Sequence, residues 1–289
     1  MGIDLKNWMQ NLPDGSDLLA LNLCGTHDCV TQHIRLPHFF CCQDLTIYEQ
    51  LLLGVRALDI RVRADGKCLT MVHGIFPAYN HSCHRANLMD MGDVLSQCYR
   101  FLDECPGEAV VFQFKNDNGK ENEQCFDNLF YTYIKGKEPY WYLEDQVPTL
   151  GAARGKLVLI RRCKMEPKPD FTRHNTGIDF STWVEQPEVV PTALPLCTGT
   201  ADFIIQDRFK YKPKPRWAQV IRPFLEQRTA FGGQYVINYL SNDSYGGAVK
   251  LSIGFDADGT ITGVGIRETS DTPGLGLKAK DDDYRNQYV

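Results

Sequence analysis

Two histidines and one arginine, His27, His73 and Arg61, are the residues of this 289-residue chain best suited to do chemistry. His27 follows the apolar run 18–23 and the turn Cys24-Gly25-Thr26, and Asp28 comes directly after it. A histidine just past a glycine at a strand end stands where a barrel or open α/β sheet exposes reactive groups. Imidazole takes and returns a proton near neutral pH. Asp59 and Arg61 lie two apart near the end of a second strand, and His73 closes its return strand. Lys115, Arg162 and Asp207 mark the ends of later strands. Each has a bland reading: Arg61 paired with Asp59, His73 capping a turn, Lys115 ending a buried strand. Together they are hard to reconcile with stability alone, because burying unpaired charge is costly.

Two histidines can serve as base and acid in one displacement. An arginine between them offers positive charge to a phosphorane-like transition state. Further cations suit an anionic substrate, and carboxylates accept hydrogen bonds from hydroxyls. The set therefore points to phosphoryl transfer on a polyol phosphate. No P-loop or dinucleotide-binding glycine pattern accompanies it.

Periodicity supplies the elements that would position these groups. Helical spacing covers residues 3–10, 43–53, 87–104, 121–133 and 216–227. Strand-like runs cover 18–23, 57–63, 69–73, 109–114, 156–160, 203–207 and 235–240. Residues 163–200 are proline-rich and read as a long irregular loop. Strands alternating with helices predict a parallel sheet and a (β/α) barrel. From residue 244 the pattern changes to two strands, 248–253 and 260–266, around Asp256-Ala257-Asp258-Gly259, an antiparallel hairpin.

The net charge of −5 argues against a nucleic-acid surface. No apolar run is long enough to span a bilayer, and the first residues lack the basic start and apolar core of a signal peptide. The expected location is cytoplasmic or peripheral to a membrane. The 11 cysteines form an odd set without C-x-x-C spacing, which fits reduced thiols. Cys24, His27 and Cys29, with Cys41-Cys42 nearby, imitate a metal cluster. Zinc sites want two spaced pairs, so no metal site is expected.

The runs Gly25-Thr26-His27-Asp28, Gly54-Val55-Arg56-Ala57-Leu58-Asp59-Ile60-Arg61 and Val72-His73-Gly74 resemble, in order and spacing, the X region of bacterial phosphatidylinositol-specific phospholipase C. Phe112-Gln113-Phe114-Lys115, residues 154–162 and Ile205-Gln206-Asp207-Arg208-Phe209 extend the likeness over about residues 5–243. The resemblance implies a TIM-type barrel over residues 1–243, distorted or incompletely closed, with a C-terminal β-hairpin extension. It implies a base, His27, that deprotonates the inositol 2-hydroxyl, and an acid, His73, that protonates the departing diacylglycerol oxygen. Asp28 would orient His73, and Arg61 would neutralise the phosphorane oxygens. Asp59, Lys115, Arg162 and Asp207 would bind substrate, with Phe209 where the family stacks a tyrosine under the ring. Eukaryotic relatives place a calcium ligand at the position of Arg61. The guanidinium fills that role, so neither calcium nor another metal is expected. The substrate would be phosphatidylinositol or a related glycerophosphodiester at a membrane surface. The aromatic stretches 38–40 and 75–79 are candidates for insertion.

Two departures stand out. The family's last barrel strand carries an aspartate that partners the base histidine, and no such aspartate follows residues 235–241. Asp243, Asp256 and Asp258 lack the right context. A histidine without its partner can take the wrong tautomer, so a catalytically impaired barrel that binds inositol phosphates or lipid headgroups is the main alternative. In addition, Tyr245-Gly246-Gly247-Ala248-Val249-Lys250-Leu251 and Asp271-Thr272-Pro273-Gly274-Leu275-Gly276 resemble the opening of the FMN-binding domain in Rnf/Nqr-type redox subunits. That family attaches FMN to a threonine in a Ser-Gly-Ala-Thr run further on, which is missing before Val289, so FMN is not an expected cofactor. A fragment of a flavin electron-transport protein is the second alternative. Residues 244–289 are otherwise expected to cover an open barrel edge.

Overall fold

Alternation along the central strands builds the core. The computed structural model describes residues 4–65, 67–117, 123–165, 168–170, 175–183, 194–198, 201–207, 219, 235–238, 249–255 and 261–269. Its first sheet contains β1 (Gly25–Thr26), β2 (Ala57–Asp65), β3 (Cys68–His73), β4 (Phe76–Pro77), β5 (Val110–Asn116), β6 (Trp141–Tyr142), β7 (Leu157–Arg161) and β8 (Ile178–Asp179). β1, β2, β5 and β7 run parallel in that order, and β7 carries β6 and β8 at its two ends. β3 pairs antiparallel with the second half of β2, and β4 with β3. A second sheet places β10 (Ala201–Gln206) between antiparallel β9 (Leu194–Thr198) and parallel β11 (Tyr235–Asn238). β12 (Val249–Phe255) and β13 (Ile261–Thr269) form a separate antiparallel hairpin.

One face of these strands is apolar throughout. After the single turn α1 (Pro37–Phe40), Leu58, Ile60, Val62, Val110, Phe112, Phe114, Leu157 and Leu159 pack in one cluster with Leu51 of α2 (Ile47–Leu52), Val94, Leu95, Phe101 and Leu102 of α3 (Met91–Glu104), and Phe130 and Ile134 of α4 (Glu123–Ile134). The opposite face changes along the strand. Val111, Val158, Ile160, Phe203 and Ile205 form an inner core against Ala57, Tyr235 and Ile237. Further along this face come Arg61 and Lys115, four residues after Ala57 and Val111, and Arg162 and Asp207, two residues after Ile160 and Ile205. Period two thus makes an apolar floor and a charged rim from the same strands. The inner core draws on both sheets, as a barrel interior does. Among the described residues, no strand pairing joins the two sheets. The fold is a TIM-type α/β barrel, distorted and not closed.

The structure revises several expected elements. Residues 18–23 are not a strand. Asp17 accepts a hydrogen bond from the Leu19 amide and winds Leu18–Ala20 into a 3-10 turn, which buries Leu18 in the inner core. The strand is only Gly25–Thr26. Residues 3–10 likewise reduce to a 3-10 turn at Leu5–Asn7, capped by Asp4. Capping boxes at Thr46/Glu49 and Asp90/Asp93 start α2 and α3 at Ile47 and Met91. The irregular stretch 163–200 contains β8 and β9. The expected helix 216–227 lies, apart from one position, outside the described residues, as do Asp243, Asp256 and Asp258.

A buried ion pair ties the floor together. The Arg56 guanidinium is fully buried and donates to Glu108 Oε2 at 2.9 and 2.7 Å, to the Leu51 and Val55 carbonyls at 2.8 Å, and to the Lys6 carbonyl at 2.8 Å. It joins the N-terminal turn and the end of α2 to Glu108, two residues before β5. Glu108→Ala leaves that guanidinium buried without its anion, so folding stability should fall by about 3–5 kcal/mol. Urea unfolding measures this, and a loss below about 1 kcal/mol would contradict the role given to the pair.

Candidate active site

Gly25 lets β1 lie against β2. A Cβ there would come within 3.2 Å of the Ala57 Cβ and 3.3 Å of its carbonyl oxygen. The chain then turns sharply, with Asp28 in the left-handed region at φ 43°. A non-glycine residue there stores strain of about 1–3 kcal/mol, and the turn brings the Asp28 carboxylate back beneath His27. His73 reaches the same place at the end of the return strand β3, as its position in the sequence predicts, and the β2–β3 hairpin folds it back towards Asp28.

The centre is a lattice of alternating charge. Asp28 is fully buried. Its Oδ2 lies 3.2 Å from His27 Nε2 and 3.5 Å from His73 Nε2, and its Oδ1 lies 3.1 Å from Arg61 Nε. None of these contacts has hydrogen-bond geometry. Asp59 Oδ2 is 2.8 Å from His27 Nδ1 and accepts from Arg61 Nη2 at 3.1 Å, while its Oδ1 accepts from Gln113 Nε2 at 3.1 Å. Arg61 Nη1 reaches Asp117 Oδ1 at 3.4 Å. Asp117 also takes Lys115 Nζ at 3.0 Å and the Gly74 amide at 2.6 Å, which fixes the turn after His73. His73 Nδ1 faces the Phe40 carbonyl at 3.0 Å and Cys42 Sγ at 4.0 Å.

Proton affinities follow from these contacts. Burial pushes the Asp28 carboxyl up, against the pull of Arg61 and both histidines. At Asp59 burial is overridden by Arg61 and by the His27 hydrogen bond, which hold its carboxyl well below the usual carboxylate range. Burial works against protonated His27, but Asp28 and Asp59 prevail over it and over Arg61, so its affinity for a proton rises. Arg61 and Lys115 hold Asp117 low despite its burial. With Asp59 ionised, neutral His27 carries its proton on Nδ1 and presents the Nε2 lone pair to the cavity. His73, with Nδ1 directed at a carbonyl, presents Nε2 to the same carboxylate oxygen.

The remaining predicted residues lie on the same rim. Arg162 Nη2 is 3.7 Å from Asp207 Oδ2, and its guanidinium lies 3.8 Å over the Trp183 ring, whose Nε1 donates to Asp207 at 3.3 Å. Burial raises the Asp207 carboxyl, and the charges of Arg162, Arg61 and His27 oppose it. Eight of the nine expected residues therefore meet at one mouth; Phe209 lies outside the described residues. Sequence reading missed two members, Gln113 and Asp117, which share the inward period of Lys115 and could have been found from it. Cys42 was noted only as a neighbour of the Cys24, His27 and Cys29 group; in the structure Cys42, not Cys24 or Cys29, groups with His27. Reading also placed a guanidinium between the imidazoles, where the structure has the Asp28 carboxylate.

Relatives of known activity share this framework. The 1-phosphatidylinositol phosphodiesterase of Staphylococcus aureus (strain Newman) is 28% identical over 214 residues, covering 71% of this chain and 64% of that protein. The enzyme of the same description from Listeria monocytogenes serovar 1/2a is 27% identical over 169 residues, covering 55% of this chain and 49% of that protein. The alignments thus span less than two thirds of these relatives. Among solved structures, an S. aureus phosphatidylinositol-specific phospholipase C superposes with a TM-score of 0.65 at 23% identity, over 86% of this chain and 79% of that one. The L. monocytogenes enzyme gives 0.63 at 23% identity, over 84% and 81%. Residues 244–288 match the FMN-binding domain family. In sequence and in fold, this chain resembles the bacterial phosphatidylinositol-specific phospholipases C, with a C-terminal segment similar to an FMN-binding domain.

Proposed function

We propose that the chain cleaves phosphatidylinositol, or a related glycerophosphodiester, without a metal ion, and releases diacylglycerol and an inositol 1,2-cyclic phosphate. One observation carries the reading: His27 Nε2 and His73 Nε2 flank a single Asp28 oxygen, with Arg61 on the other oxygen of the same carboxylate. In this scheme His27 Nε2 takes the proton of the inositol 2-hydroxyl, whose oxygen then bonds to phosphorus. The phosphorus–glycerol oxygen bond breaks, and His73 gives its proton to the leaving oxygen. Arg61 meets the charge on the non-bridging oxygens. Asp59 holds the His27 tautomer, the task that the family assigns to an aspartate on the last barrel strand. Its 2.8 Å contact with Nδ1 supports this substitution and favours an active enzyme over an impaired binding barrel. Lys115, Arg162 and Asp207 line the inositol pocket, with Phe209 as its stacking partner. Residues 1–243 form the catalytic barrel, and residues 244–289 an appended segment outside this chemistry.

A membrane surface is the source of substrate in this reading. No helix among the described residues is long and apolar enough to cross a membrane. Leu36, Phe39 and Ile75 are 56, 61 and 70% exposed. They adjoin Phe40 and Phe76, whose rings lie 4.3 Å apart beside His73. Apolar side chains around the mouth of a site suit an interface.

The direct test is diacylglycerol release from phosphatidylinositol vesicles. Activity should persist in excess chelator, and His27→Ala and His73→Ala should each lower it about 10²–10⁴-fold. Loss of activity in chelator, or either variant at wild-type rate, would overturn the reading. A pH profile tests Asp59. Removing its charge lowers the His27 pKa, so Asp59→Asn should shift the acidic limb of kcat/KM to lower pH while lowering the maximum by at least about 10²-fold. An acidic limb that stays in place would show that Asp59 does not act through His27. At the rim, Leu36→Ser, Phe39→Ser and Ile75→Ser combined should weaken vesicle binding at least about 100-fold. Unchanged sedimentation with vesicles would remove the rim from the interface.

A further inference from the structure

The proposed reaction gives Cys42 no task, yet Cys42 stands at its centre. We propose that His27, Asp28 and Cys42 form a binding site for a thiophilic divalent cation of the Zn²⁺ class, and that such an ion occupies the mouth in place of the phosphoryl group and blocks catalysis. The inhibition rests on the function proposed above; the binding does not.

Three different donors converge here. One ligand atom from each of the three residues lies within 4.8 Å of the other two. Zinc binds cysteine sulfur at about 2.3 Å and imidazole nitrogen and carboxylate oxygen at about 2.0–2.2 Å. These bond lengths set tetrahedral ligand atoms about 3.5 Å apart, so the three side chains close by roughly 1 Å around one ion. A second observation points to the same ligand. The Asp28 carboxylate is fully buried, lies 3.2 Å from His27 Nε2, and accepts no hydrogen bond at either oxygen. That geometry leaves lone pairs for a cation.

Asp59 completes the arrangement from behind. By accepting a hydrogen bond from Nδ1–H of His27 it leaves the Nε2 lone pair for the metal, the carboxylate–histidine–metal relay that orients zinc ligands. Cys42 Sγ lies 4.0 Å from His73 Nδ1 and 3.9 Å from the Phe40 carbonyl. Its thiol proton passes to solvent when the sulfur coordinates. Thiolate and carboxylate together then balance the charge of the ion. Arg61 opposes a cation from 3.1 Å beyond Asp28 Oδ1, but Asp59 and Asp117 already pair with it. The donor set also selects. Calcium takes six to eight oxygen ligands and magnesium an oxygen octahedron, whereas sulfur and imidazole favour zinc and its neighbours. A fourth position remains for water.

Cobalt(II) reports this site without any need for activity. The reduced full-length chain, freed of metal, should take up one equivalent of Co²⁺ with a sulfur-to-cobalt charge-transfer band and tetrahedral visible absorption, and Zn²⁺ should displace it. Cys42→Ser, folded as judged by circular dichroism, should lose the band and bind Zn²⁺ at least about tenfold more weakly. Cys41→Ser, which alters the neighbouring thiol, should keep both. Zn²⁺ should abolish phosphatidylinositol cleavage, chelator should restore it, and Cys42→Ser should need at least about tenfold more Zn²⁺. A missing charge-transfer band, or a band undiminished in Cys42→Ser, would overturn the site. A normal band in a chain that never cleaves phosphatidylinositol would uphold the site and reject the function.

Discussion

Arg61 binds two buried carboxylates, Asp28 and Asp59, each 3.1 Å from one of its nitrogens, and both histidines are positioned through those carboxylates. The remaining charges of the mouth follow from this contact. Without the guanidinium, two aspartates would share a nearly water-free space, and one would have to take up a proton. With it, Asp59 stays ionised and sets the His27 tautomer, while Asp28 bears the burial penalty between the two imidazoles. Such a network contributes little net stability, because desolvation offsets the attraction. Its value lies in fixing where protons sit.

The barrel supplies the rigidity this requires. Arg61, Lys115 and Asp59 stand on β2 and β5, whose outer face is locked by the apolar cluster beneath α2, α3 and α4. Register sets Asp59 beside Gln113 and Arg61 beside Lys115. The parallel ladder therefore determines that one layer holds the partner of the base and the next holds the cations. The loop residues are tied to that layer in turn: Asp117 fastens the Gly74 turn, and the Phe40 carbonyl faces His73. Strain at Asp28 is held in the same frame.

Much of this was legible in the sequence, for identifiable reasons. Period-two alternation in residues 57–63, and the apolar run 109–114 ending in Lys115, mark both the strands and their charged ends, so Arg61 and Lys115 were found from local pattern. The run 18–23 misled because its hydrophobicity serves the inner core from a capped turn, which period alone does not distinguish from a short strand. Asp59 was assigned to substrate with the other polar residues of the mouth. Its contact with His27, 32 residues away, exists only once β1 is laid on β2. Cys42 is brought to His27 by loop contacts instead: its amide donates to Thr31 Oγ1, and the Gln43 side chain donates to the His27 carbonyl. The sequence offers no local signal that Asp59 faces His27; the fold brings its Oδ2 to 2.8 Å from Nδ1.

Phosphorus NMR of phosphatidylinositol vesicles turning over in chelator gives the sharpest test of this charge arrangement as an acid–base pair around one phosphorus. The expected first product is the five-membered cyclic phosphodiester, formed before any inositol monophosphate, because the attacking oxygen belongs to the inositol ring. A monophosphate appearing first, or phosphatidic acid in its place, would contradict a base at His27 acting on the 2-hydroxyl.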